Sequence, residues 1–151
     1  MKNITFLITL FGMIWANAQQ DLAQLNAAFA QNPKPILIEF TTDWCGYCLL
    51  QNKKIHQDQK LLAILENDFY FIELDAESDK SYHFLQREFL PNPDFPHQKT
   101  HTLVEAFVQE NETVAYPFWV LLSTDLMIEW SYSGYIAPNN LSKMLNINTK
   151  D

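Results

Sequence analysis

The segment Asp43-Trp44-Cys45-Gly46-Tyr47-Cys48 holds both cysteines of the chain, with two residues between them. Cysteines at that spacing have three uses: a redox pair that exchanges disulfides, half of a metal site, or a structural disulfide. A structural disulfide stabilises more the longer the loop it closes, and this one would close almost nothing. A metal site needs further ligands. The histidines are His56, His83, His97 and His101, and His97 and His101 stand as H-x3-H. The stretch from Cys48 to His97 is far longer than a zinc finger allows, and the two histidines straddle a proline-rich segment and a helix start, so no metal is expected. Redox exchange is the chemistry that the spacing suits.

The elements around the pair strengthen that reading. Ile36-Leu37-Ile38-Glu39-Phe40 is a short apolar run of buried-strand type, and the cysteines follow it where a helix is expected to begin. Free backbone N–H groups and the helix dipole at such a start favour an anion, and the thiolate is the nucleophile. Cys45 can therefore attack a disulfide in another molecule. Cys48, one turn further along, can attack Cys45 in turn and release the reduced product.

The rest of the chain reads as the frame for this site. Helices are expected over Asp21–Gln31, over Leu49–Asn67 in two parts with Asp58 as the second N-cap, around Tyr82–Phe89, over His101–Gln109 and from Pro138 onward. Strands are expected at Phe69–Leu74, at Phe118–Leu122 behind Pro117, and at Met127–Tyr132 before Gly134. Strands separated by helices pair in parallel through crossovers, and the last two form a hairpin. The result is a mixed sheet with helices on both faces.

Length, composition and the N-terminus set the context. A chain of 151 residues, 48% of them hydrophobic, suits one domain with a real core. The net charge of −8 argues against nucleic acid or an anionic membrane surface as partner. Lys2, the apolar stretch Ile4–Trp15 and Ala16-Asn17-Ala18 read as a signal peptide with an A-x-A cleavage site. The apolar stretch is shorter than the roughly 20 residues that a membrane span needs, and no later stretch is long enough. Residues 1–18 are expected to be removed, leaving 19–151 as a single domain in the periplasm or secreted, an oxidising setting.

Three segments together resemble the thioredoxin superfamily. "PILIEFTTDWCGYC" is similar to its strand, Trp-Cys-x-x-Cys and helix; "AYPFWVLLSTD" resembles its proline-led strand; "SGYIAPNNLSKML" resembles its closing glycine and helix. The resemblance implies a thioredoxin fold of the α/β class, a central mixed sheet of about four strands flanked by helices. It implies Cys45 as the attacking and Cys48 as the resolving cysteine, with the Cys45–Cys48 disulfide as the sole redox group and no bound cofactor. Trp44, Gly46, Tyr47, Tyr116 and Pro117 would meet the substrate. Pro117 would be cis and would leave the Tyr116 backbone free to pair with a peptide, although the residues alone suggest an ordinary turn proline. Glu39 would be a buried acid that moves a proton for Cys48, or else would turn to solvent at a sheet edge.

Thioredoxin has Gly-Pro between its cysteines and a lysine after them; this chain has Gly46-Tyr47 and then Leu49-Leu50. The stretch "CGYCLLQNKKIHQDQKLLAILENDFYFIELDAE" is closer to exported domains related to the C-terminal domain of the bacterial transmembrane disulfide reductase. The dipeptide between the cysteines tunes redox poise, so the direction of exchange is not carried over from that branch; a monomer working as a reductase rather than an oxidase is the expectation. It would act on protein disulfides and thiols and be recharged by a membrane or soluble electron donor. A binding module without turnover and a thiol peroxidase-like reductant are the other classes open. The stretch 78–100, with Tyr82, Phe84, Phe89 and Phe95, has no counterpart in the family pattern. It is read as an insertion that either borders the site and restricts substrates or covers its own aromatics.

Overall fold

The computed structural model describes residues 22–109 and 112–148. The expected signal peptide lies outside the described residues. The central sheet has four strands, β1 (Ile36–Thr41), β2 (Tyr70–Asp75), β5 (Phe118–Leu122) and β6 (Ile128–Ser133), in the order β2-β1-β5-β6. β1 and β2 are parallel, while β5 runs antiparallel to both β1 and β6. The two middle strands, β1 and β5, are almost wholly buried, as their continuous apolar runs require.

Alternation along the strands sorts the core into two layers. Ile36, Ile38, Phe40, Phe118 and Val120 pack with Leu22 and Leu25 of helix α1 (Leu22–Gln31) on one face. Leu37, Trp119 and Leu121 face the other way. There they pack with helices α2 (Gly46–Gln57), α3 (Gln59–Asp68) and α5 (Pro138–Asn148). Asp58 separates α2 from α3 as expected: its carboxylate accepts from the N–H groups of Lys60 and Leu61.

Within the stretch 78–100, the helix expected around Tyr82–Phe89 does not form. Tyr82–Phe84 (β3) and Arg87–Phe89 (β4) form a two-stranded antiparallel hairpin instead. The cause is tertiary. Asn26 of α1 grips the turn with both ends of its amide, donating to the His83 carbonyl and accepting from the Leu85 N–H. Leu85 takes a left-handed φ of 55° to make that turn. Phe84 and Phe89 then both enter the α1-side core. The expected helix at His101–Gln109 shrinks to one turn, α4 (Thr102–Glu105), beyond which Phe107 and Val108 wind on tighter three-residue bonds.

His101, at the start of this turn, lies inside the fold. It is fully buried and caps α4, its Nδ1 accepting from the Leu103 N–H. Its Nε2–H then donates to the Lys80 carbonyl across the insertion. Burial pushes its pKa below the usual histidine value, against the opposing pull of the Lys80 carbonyl, Asp75 and Glu105. The stabilising neutral form is complete above the unfolded value of about 6.5 and is lost as pH falls below it. Acidification should therefore lower the melting temperature, by the equivalent of about 1 kcal/mol for a lost cap. His101→Asn, which keeps a capping oxygen and cannot titrate, should flatten that drop in thermal unfolding scans. An equally steep drop in the variant would assign the effect elsewhere.

Candidate active site

The chain leaves the carboxyl end of β1 and enters α2 within a few residues, and the cysteines lie at that junction. Cys45 is the N-cap of α2. Its Sγ accepts from the Cys48 N–H at 3.1 Å, so the sulfur occupies the place of a capping oxygen. Cys45 and Cys48 are joined as a disulfide, with Cα atoms 5.3 Å apart. A sulfur held at a helix start by a backbone N–H is where negative charge is best tolerated as the bond opens.

The pair itself is mostly covered, Cys45 at 5% and Cys48 at 4% exposure, while its flanks are bare: Trp44 at 66%, Tyr47 at 66% and Leu49 at 72%. Gly46 is exposed between them, and a Cβ there would meet nothing. The reactive bond is thus covered while the apolar side chains around it stand open to solvent. Trp44 is held in place. Its Nε1 donates to Glu77 at 3.0 Å, and its ring stands edge-on to Tyr116, centroids 6.1 Å apart.

Tyr116 and Pro117 lie at the same sheet end as the disulfide. Phe118 pairs with Phe40, so residues 116 and 117 fall opposite the stretch leading to Cys45. The Tyr116–Pro117 peptide bond is cis, Pro117 is buried, and the Tyr116 phenol lies beside the Thr100 side chain. Burial raises the Tyr116 pKa, and the carboxylates of Glu77 and Asp75 add to the rise. The insertion thus touches the site at both ends, through Glu77 next to its start and Thr100 at its close. Its aromatics divide: Phe84 and Phe89 are core, Tyr82 packs on His101 at 4.6 Å between centroids, and Phe95 is exposed.

Glu39 lies inside the sheet at 1% exposure, not at a solvent edge. Among the described residues neither of its carboxyl oxygens has a hydrogen-bond partner. Desolvation, and secondarily the Glu73 charge, hold its pKa well above the usual carboxylate range. A raised folded value means that Glu39 costs stability increasingly as pH climbs past the ordinary carboxyl range. Glu39→Leu should therefore stabilise the fold at neutral pH by about 1–3 kcal/mol, the cost of an unsatisfied buried polar group. The gain should shrink on acidification in urea titrations. A pH-independent gain would refute the ionisation argument.

Three residues outside the sequence reading complete the site. Glu73 of β2 stands beside Glu39 in register. Gln51 of α2 is fully buried and accepts from the Ile136 N–H at 2.8 Å, tying the active-site helix to the approach of α5. Glu77 anchors Trp44. Only Glu73 left a sequence signal, the matching Ile-Glu steps of "ILIEFT" and "YFIELD". Among the described residues no group of three or more His, Cys, Asp or Glu side chains is placed to hold a metal ion. Nor is any helix among them long and apolar enough to cross a membrane.

A mixed sheet with a Cys-x-x-Cys disulfide at the start of its first crossover helix defines the thioredoxin class of proteins. The sequence model of the thioredoxin-like family matches residues 17–123, and the chain belongs to that family. No curated protein matches it significantly. Among solved structures it is similar to the DsbH oxidoreductase, at 19% identity and a TM-score of 0.55, over 88% of this chain and 85% of that one. The disulphide isomerase of Xylella fastidiosa Temecula1 superposes at 0.54 with 16% identity, over 93% and 99% of the two chains. A thioredoxin-fold protein from Helicobacter pylori reaches 0.60 with 15% identity, over 78% and 70%. At these identities the likeness establishes the shared fold.

Proposed function

We propose that this chain is an exported thiol–disulfide oxidoreductase that works as a reductase of protein disulfides. The observation that carries the reading is the Cys45–Cys48 disulfide at the N-terminus of α2, its Cys45 sulfur bonded by the Cys48 N–H. In the reduced protein the Cys45 thiolate attacks a substrate disulfide and expels one substrate thiolate, forming a mixed disulfide. The Cys48 sulfur, having given up its proton, attacks Cys45, closes the intramolecular disulfide and expels the second thiolate. The substrate leaves with two electrons more and the enzyme with two fewer.

Trp44, Gly46, Tyr47, Tyr116 and Pro117 form the face that receives the substrate chain, with Glu39 as the acid serving Cys48. The bare rim of Trp44 and Tyr47 supports this assignment. The reaction calls for no bound cofactor beyond the dithiol, and a membrane or soluble donor returns the electrons. The A-x-A signal pattern at Ala16–Ala18 supports export to the periplasm or beyond. The chain works as a monomer.

The reduction potential of the Cys45–Cys48 pair, measured by equilibration in dithiothreitol and glutathione buffers, tests the reading. A value near −270 mV, as in thioredoxin, is expected for a reductase, and one towards about −120 mV would make the protein an oxidase. A pair that cannot be cycled removes the enzyme and leaves a binding module.

A further inference from the structure

Glu39 and Glu73 occupy one register position on the adjacent parallel strands β1 and β2, whose backbones lie about 4.8 Å apart. Both belong to the alternating set turned towards α2, α3 and α5, because Leu37 and Phe71, two residues before each, pack in that layer. Glu39 is the sealed inner member. Glu73 is the half-buried outer member, and its Oε2 accepts from the Asn52 side chain at 3.0 Å. His56, exposed one turn further along α2, has its Nδ1 2.9 Å from the Asn52 carbonyl oxygen. Cys48, Gln51 and Ile55 form the buried stripe of α2, and Ile55 packs with Leu37 and Trp119. The stripe therefore brings Cys48 to the layer that holds the two acids.

Two neighbouring carboxyl groups away from water resist carrying two negative charges at once. Burial raises both pKa values; Glu73 adds to the rise on Glu39, and Asn52 and His56 pull Glu73 back down. The groups that act on the pair are Asn52 and His56 from α2, and the uncharged Trp119 of β5 is Glu39's register partner on its other side.

We propose that Glu73 completes an acid pair with Glu39, and that this pair, opening to solvent beside Asn52 and His56, carries the proton of Cys48. The inference rests on the exchange reading and supplies the proton path of that site. When the mixed disulfide resolves, the Cys48 thiol gives up its proton towards Glu39 as the Glu39 proton moves out to Glu73 by way of a water between the two carboxyls, which make no direct hydrogen bond in the structure. Cys48 sulfur bonds to Cys45, the substrate thiolate leaves with the bonding electron pair, and Glu73 releases a proton to water. When the Cys45–Cys48 bond is reduced, the same path runs inward and protonates the departing Cys48 thiolate. Glu73 never touches the sulfur; it acts through Glu39.

The test uses the full protein with Glu39→Gln, Glu73→Gln and Glu73→Asp variants. Carbon-13 NMR titration of the glutamate carboxyls is combined with the rate of disulfide reduction by dithiothreitol from about pH 5 to about pH 9. In Glu73→Gln the Glu39 carboxyl should titrate at lower pH than in the wild type. Reduction should slow about tenfold, against about a hundredfold for Glu39→Gln, and Glu73→Asp should restore both readouts. An unmoved Glu39 titration, or a Glu73→Gln rate profile superimposable on the wild type's, overturns the proposal. Asn52→Leu tests the outer end and covers a failure of Glu73→Gln to fold. Its profile should move to higher pH, and an unchanged profile counts against the path. If wild-type disulfide resists dithiothreitol, the exchange reading falls and the proton path with it. A wild type that cycles beside an unaltered Glu73→Gln overturns the path alone.

Discussion

Cys45→Ser protein should reduce protein disulfides no faster than the buffer does, while Cys48→Ser protein should react once and stop. The asymmetry follows from the site. A serine at the N-cap of α2 keeps a capping oxygen for the Cys48 N–H, so the helix start survives, but its hydroxyl cannot form a mixed disulfide. With Cys48 replaced, the Cys45 thiolate still sits at the helix start and still attacks. The covalent complex then has no internal sulfur to resolve it. Incubation with disulfide-bonded insulin, followed by non-reducing electrophoresis, reads both outcomes: no complex with Cys45→Ser, about one equivalent of stable complex with Cys48→Ser. The reverse pattern would make Cys48 the attacking residue. Loss of complex in both variants would mean that the exposed Trp44 and Tyr47 rim binds without exchange.

Trp119→Ala should be the most destabilising single core substitution, at about 3–5 kcal/mol. Trp119 is fully buried on a middle strand, stacks on Phe71 at 6.3 Å between centroids, and donates from Nε1 to the Gly134 carbonyl. It joins β5 to the layer of α3 and α5, whose Leu61, Leu65, Leu141 and Leu145 share its cluster. Removing the ring opens a cavity that these side chains cannot close without moving two helices. Against a typical domain stability of 5–15 kcal/mol, that loss brings the fold close to its limit. Trp119→Phe keeps most of the packing and loses the Gly134 bond, and should cost about 1 kcal/mol by that route. Equilibrium urea unfolding of both variants checks the ordering. A Trp119→Ala cost below that of Trp119→Phe would mean that the layer is not packed as described.

Much of the frame was legible because its signals are local. The apolar runs Ile36–Phe40 and Phe118–Leu122 lie within the strands found, and Asp58 reads as a cap because an Asp before an apolar helical run has an oxygen for the free N–H groups. The helix after the active-site strand was expected from Leu49; it begins at Gly46, since Cys45 itself supplies the cap. Around Tyr82–Phe89 local pattern does not decide, because Tyr82, Leu85 and Phe89 share a helical face while Tyr82 and Phe84 alternate as in a strand. Asn26, 57 residues away from His83, makes the choice.

What the sequence determined by itself is the chemistry on offer: two cysteines at a strand-to-helix junction, an aromatic beside them, and a proline-led strand to face them. Strand alternation also put Glu39 on the face of Leu37 rather than that of Ile38. Only the tertiary structure decided what Glu39 meets there. Which strand lies alongside β1, and in what register, is set by crossover packing through α2 and α3, not by residues near Glu39 in the chain. That pairing sets Glu73 against it and closes the sheet edge where it could have reached water. The same dependence on distant chain buries His101 under the insertion and ties Trp44 to Glu77. Local periodicity fixes which way a side chain points; desolvation and charge at its tip depend on segments that only folding brings together.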